Sequence, residues 1–109
     1  MPVIDHSKLE TKTFPGVLHK TIAGLKQGSK TSEIWYQTSA EKSETPPHYH
    51  DCEEIIIILR GSGWAMIDGK KENFRPNSTI IVPPNIVHQM ANTGKDEMLG
   101  KLMNLPWSG

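Results

Sequence analysis

The feature that most restricts this fold is punctuation: short runs of β-branched and aromatic residues alternate with glycine, proline and asparagine clusters along nearly the whole chain. Such runs suit pleated, half-buried surfaces and the clusters supply turns, so the pattern is that of an all-β sandwich or barrel. Strands are predicted over residues 17–23, 33–39, 54–60, 64–67, 71–74, 79–82, 87–91 and 98–104. Eight strands suit a jelly-roll barrel. Asp68-Gly69 marks a tight hairpin, because both central positions of such a turn need positive φ and these residues tolerate it. Arg60-Gly61-Ser62-Gly63 and Asn92-Thr93-Gly94-Lys95 are further corners, and Pro83-Pro84-Asn85 ends a strand by withdrawing two backbone donors. The lysine- and serine-rich stretch 26–32 reads as a solvated loop.

One strand departs from alternation. Ile55-Ile56-Ile57-Ile58-Leu59 has no polar interruption, so both of its faces should be covered. One face meets the barrel interior. The other meets a second sheet, a neighbouring subunit or a partner's swapped N-terminal segment, and a fully buried core strand accounts for the run equally well.

With 109 residues the expected organisation is one domain over 1–109, its core barrel about 17–104. A chain this short buries a modest fraction of its surface, which makes a homodimer the expected state. Twelve Lys and Arg balance twelve Asp and Glu, leaving no positive field for nucleic acid or an anionic membrane. Cys52 is the single cysteine, so no intramolecular disulfide can form and a cytoplasmic location is expected. No apolar run approaches the length that crosses a bilayer as a helix.

The chemistry concentrates around the apolar strand. In His48-Tyr49-His50, residues i and i+2 of an extended backbone point to the same side, so both imidazoles can converge on one point. Glu54 follows four residues later, and His88 lies just beyond the proline corner, on a strand that an antiparallel barrel can fold back beside the first. Any one of these alone would pass as a surface or hydrogen-bonded residue. Together they form a three-histidine, one-carboxylate set for one divalent ion, with Fe, Mn, Ni, Zn and Cu all compatible. Four protein ligands leave an octahedral ion about two open positions, which suits an active site better than a closed structural one. His6 and His19 lack such partners and read as ordinary residues near the surface.

These residues resemble the cupin superfamily. Its first motif, glycine, five residues, HxH, three or four residues, glutamate, six residues, glycine, is matched by His48, His50, Glu54 and Gly61, with Lys42 where the leading glycine would stand. Its second motif is matched by Pro83, His88 and Asn92, with Asn77 and Asn85 at the two glycine positions. Asparagine is the residue that best replaces glycine at positive φ. The resemblance implies a double-stranded β-helix of jelly-roll type, commonly dimeric, with a metal near the barrel's open end. It does not imply a reaction, since the superfamily includes oxygenases, isomerases, lyases and cyclases beside non-catalytic binding proteins.

The leading expectation is therefore a metal-dependent enzyme (dioxygenase, isomerase, lyase or cyclase) acting on a small oxygen-rich substrate. His48, His50, Glu54 and His88 would hold the metal, with Glu54 doubling as the catalytic base. The alternative is a sensor or binding module that captures a small molecule without turnover. Strand parity nominates Met66, Met90, Trp64 and Asn92 as substrate-binding residues, with Trp35, Tyr36, Leu102 and Trp107 as weaker candidates. Arg75 and Lys101 are candidates for a substrate carboxylate. Cys52 is expected to be a buried, inert thiol.

Overall fold

The computed structural model describes residues 2–94 and the backbone of 98–104. Nine strands run through the described residues: β1 (Lys12–Phe14), β2 (Val17–Ala23), β3 (Glu33–Ser39), β4 (Glu54–Arg60), β5 (Gly63–Ile67), β6 (Lys70–Phe74), β7 (Ser78–Val82), β8 (His88–Asn92) and β9 (Met98–Asn104). All eight predicted strands are present, most within a residue of their expected ends. The addition is β1, three exposed residues whose sequence carries no apolar alternation and which exist as a strand only by pairing with β2. The stretch read as a solvated loop holds a short 3-10 turn, Leu25–Gln27.

The strands form two antiparallel sheets, one of six in the order β1-β2-β3-β9-β4-β7 and one of three in the order β6-β5-β8. Residues 44–48 run antiparallel along the free side of β8, touching it at Glu44 opposite Ala91 and His48 opposite His88. Between the sheets, Ile56, Ile58 and Val82 from the larger pack against Ala65 and Phe74 from the smaller, with Trp35, Ile67, Ile80, Ile86 and Met90 at the margin. Each full burial of an isoleucine stabilises by about 1.5–3 kcal/mol. The apolar run of β4 resolves into two faces: Ile56 and Ile58 are 2% and 0% exposed, whereas Ile55 and Ile57 on the outer face are half-buried beside Ile81, 60% exposed on edge strand β7.

The corners obey their sequence. Asp68 and Gly69 both take positive φ, 51° and 77°, as the two-residue hairpin between β5 and β6 requires. Lys42, Asn77 and Asn85, the residues standing where the cupin motifs place glycine, have φ of 60°, 65° and 61°. The left-handed turns therefore survive the loss of their glycines. Asn92 fastens the two sheets: its buried amide donates to the carbonyls of Ser39 and Ala40, and its oxygen accepts from the Gly94 N–H.

Candidate metal centre

Three backbone constraints bring the histidines together. His48 and His88 exchange both N–H···O bonds, at 3.0 and 2.8 Å, a pairing that sets their side chains on the same side of the ladder. Their ring centroids stand 4.3 Å apart. The Asn85 N–H donates to the His50 carbonyl at 2.7 Å, tying the proline corner before β8 to the loop that carries His50. One ring nitrogen from each of His48, His50 and His88 then lies within 4.8 Å of the others. Glu54, first residue of β4 and 3% exposed, extends one carboxylate oxygen to His88 Nε2 at 3.1 Å and the other to His50 Nε2 at 3.3 Å.

The two Glu54–histidine separations are those of adjacent ligands on one ion, and the three histidine nitrogens stand close enough to converge on it. With bonds of about 2.0–2.2 Å, adjacent ligands of an octahedral or tetrahedral ion stand about 2.8–3.6 Å apart. The tautomers fit as well. His88 Nδ1 lies 3.0 Å from the Ile86 carbonyl and His48 Nδ1 lies 2.8 Å from that of Pro46, so each Nδ1–H donates and each neutral ring keeps its lone pair on Nε2. His88 Nε2 and the Glu54 carboxylate then face each other as two acceptors in a buried site, which demands a cation between them: a proton or a metal ion. The proton affinity of His88 shows the same demand. Burial opposes its charged form, yet the Glu54 carboxylate and the Ile86 carbonyl outweigh burial and raise its pKa above the ordinary histidine value.

The surroundings correct several sequence expectations. In β5, Gly63, Ala65 and Ile67 register with Asn92, Met90 and His88, so they share the inward face. Trp64 and Met66 alternate with them and face the other way, and Trp64 carries the Lys71 ammonium 4.7 Å above its ring. They form no wall of the site. Asn92 shares the parity of His88 but stands four residues further along β8, with its amide committed to backbone groups as described. Met90 keeps the expected inward placement and packs on the core.

Among the described residues, Trp35 places its ring 6.0 Å from that of His50. Tyr36 alternates with it and faces outward, and Arg75 is exposed. Trp107 and the side chains of Lys101 and Leu102 lie outside the described residues. Cys52 is half-buried, and burial followed by the Asp51, Glu54 and Glu33 carboxylates pushes its thiol pKa up, away from nucleophilic character.

His19 faces the interior rather than the surface. It pairs with Gln37 across β2 and β3, its Nδ1 accepts a 2.7 Å hydrogen bond from that amide's nitrogen, and its ring lies 5.1 Å from Trp35. The signal was available in strand parity: Val17, His19 and Thr21 alternate toward one face, and only the pairing partner says which.

Comparison with known proteins agrees with this architecture. In solved structures the fold matches the polyketide cyclase RemF from Streptomyces resistomycificus (TM-score 0.83, 17% identity, covering 96% of this chain and 79% of that one). It also matches an RmlC-like cupin from Shewanella frigidimarina (TM-score 0.82, 12% identity, 96% and 90%). At these identities the likeness establishes a cupin barrel and nothing about chemistry. Among sequences, auxin-binding protein 1 of Arabidopsis thaliana is 44% identical over 94 residues, 77% of this chain and 48% of the relative. Auxin-binding protein 4 of Zea mays is 32% identical over 113 residues, 93% and 55%. The chain thus spans about half the length of these relatives. The family model described as auxin binding protein matches residues 3–106, nearly the whole sequence, and the chain belongs to that family of cupins.

Proposed function

We propose that this protein captures a small organic ligand at a divalent metal held by His48, His50, Glu54 and His88. The observation that carries the reading is the buried Glu54 carboxylate, whose two oxygens reach the Nε2 atoms of His50 and His88 while the backbone fixes the His88 tautomer. Bound there, a divalent ion supplies positive charge that attracts an oxygen donor such as a carboxylate or enolate. The chain's own residues do the rest: Nδ1–H bonds to Pro46 and Ile86 orient two of the imidazoles, Trp35 walls the His50 side, and Ile56 and Val82 keep water from beneath Glu54. Relatives named auxin-binding proteins favour capture over turnover and make an auxin the first ligand to try.

The second reading is the metal-dependent enzyme. It is favoured by the same carboxylate, since a buried Glu54 beside a metal is placed to accept a proton from a bound substrate. The outward Ile55, Ile57 and Ile81 support a homodimer as the working form, and the lone cysteine is consistent with a reducing compartment. Among the described residues no helix is long and apolar enough to cross a membrane.

The test is metal analysis of protein purified without added metal, then tryptophan fluorescence titration with auxins and other small carboxylic acids, with and without chelator. Saturable binding that is lost on chelation and in His50→Ala and His88→Ala is the expected result. Product formation from a panel of enols, diketones, uronates and polyketides would transfer the assignment to the enzyme.

A further inference from the structure

The inward face of β2 and β3 carries polar chemistry that the metal ligands do not use. His19 and Gln37 oppose each other in the β2–β3 ladder, and the same rung continues through Gly100 of β9 to the fully buried Ile58 of β4. The pair therefore looks into the barrel. Trp35, two residues from Gln37 on the same face, has its ring centroid 5.1 Å from that of His19 and 6.0 Å from that of His50. One indole ring thus spans the gap between the polar pair and a metal ligand.

The hydrogen-bonding capacity of the pair is only partly used. Gln37 Nε2 donates to His19 Nδ1 at 2.7 Å. Burial, with a smaller push from Lys12, lowers the His19 pKa and favours the neutral ring, whose single proton then sits on Nε2. The contact also orients the amide: with its nitrogen held by His19, its carbonyl oxygen is turned from that ring. Among the described residues neither this oxygen nor the His19 Nε2–H has a partner. Both side chains are half-buried, and polar groups on an inward face cost desolvation that an apolar pair would avoid. A hydrogen bond to a bound ligand offsets that cost.

We propose that Gln37 determines specificity for the ligand held at the metal, its amide oxygen accepting from a ring N–H or O–H at the ligand's far edge, and that His19 is the positioning residue that orients this amide. The inference rests on the reading of the histidine centre as a metal site that takes a carboxylate. It narrows the ligand to a flat aromatic acid with its carboxylate at the metal, its ring along Trp35, and a donor rather than an acceptor at the opposite edge.

Calorimetric titration of the full chain loaded with zinc tests this with two probes, indole-3-acetate and benzofuran-3-acetate, which share a shape but replace the ring N–H by an oxygen. The indole binds roughly tenfold or more tightly than the benzofuran, because the latter faces the Gln37 oxygen with a second acceptor. The ratio falls to near one in Gln37→Met and in His19→Leu. It returns in His19→Asn, whose amide oxygen replaces Nδ1 as acceptor for Gln37. Circular dichroism verifies the fold of each variant, and the wild-type comparison needs no variant. Equal wild-type affinities, or a preference that survives Gln37→Met, overturn the proposal while capture at the metal stands. A preference unmoved by His19→Leu, or lost in His19→Asn as fully as in His19→Leu, overturns the positioning role. Binding of neither acid overturns the metal-site reading itself and this proposal with it.

Discussion

Replacing Gly63 by alanine should be among the most damaging single-methyl additions in this protein. Gly63 opens β5 between β6 and β8, and a Cβ placed on it would lie 1.8 Å from the Ala91 carbonyl oxygen and 3.0 Å from the Phe74 ring. Carbon and oxygen approach to about 3.3 Å at closest in ordinary contact, so β8 must retreat by roughly 1.5 Å. The obstacle is backbone, which cannot rotate away. Opening the β5–β8 ladder there sacrifices about two hydrogen bonds at about 1 kcal/mol each and strands one buried polar group at about 1–3 kcal/mol, giving roughly 3–5 kcal/mol in total. At about 4 °C per kcal/mol for a domain of this size, the melting temperature falls by roughly 12–20 °C. Gly69→Ala is the control: its φ is 77° and no atom lies within 4 Å of the added carbon, so the backbone penalty of about 1 kcal/mol stands alone. Urea denaturation followed by tryptophan fluorescence measures both. A Gly63→Ala protein as stable as Gly69→Ala would refute the β5–β8 register, and with it the inward placement of His88 and Met90.

Ile81→Lys adds a charge to the outer face without touching the core; light scattering should show a dimeric wild type and a monomeric, folded variant, and a dimeric variant would remove this face from the interface. Asn85→Gly should retain metal affinity, whereas Asn85→Val, β-branched at φ 61°, costs about 1–2 kcal/mol or more, displaces the N–H that holds the His50 carbonyl, and weakens affinity roughly tenfold in a competitive chelator titration. Burial, with a smaller push from Lys12, lowers the His19 pKa below its ordinary 6.5. The unfolded chain therefore binds the extra proton first, and the His19 contribution is present above pH 6.5 and lost as pH falls through and below that value. Denaturation midpoints of wild type and His19→Gln should accordingly diverge least at acid pH, and parallel curves would contradict the burial of this ring.

Strand positions were legible because β-branched runs and turn residues are local signals, and the meeting of His48, His50, Glu54 and His88 was legible because HxH parity and the motif spacing are local too. What failed needed partners distant in sequence. Trp64 and Met66 do share a face, as parity says, but only the pairing of Ala65 with Met90 decides that it is the face away from the site. Asn92 was read as a pocket residue because its amide partners, Ser39 and Ala40, lie more than fifty positions away. His19 was dismissed for want of neighbours, and its neighbours Gln37 and Trp35 arrive on β3. The half-exposed outer residues of β4 left the choice between core strand and interface open in sequence, and the structure narrows it by showing which isoleucines the chain itself does not cover.

The most direct measurement is metal stoichiometry and affinity, by competitive titration with mass-spectrometric metal analysis, in wild type, His88→Ala and Glu54→Ala. One divalent ion per chain, weakened roughly 100-fold or more in each variant while circular dichroism stays unchanged, is what a shared coordination point requires. A wild type that takes up no ion, or a His88→Ala protein that binds as tightly as wild type, would contradict it.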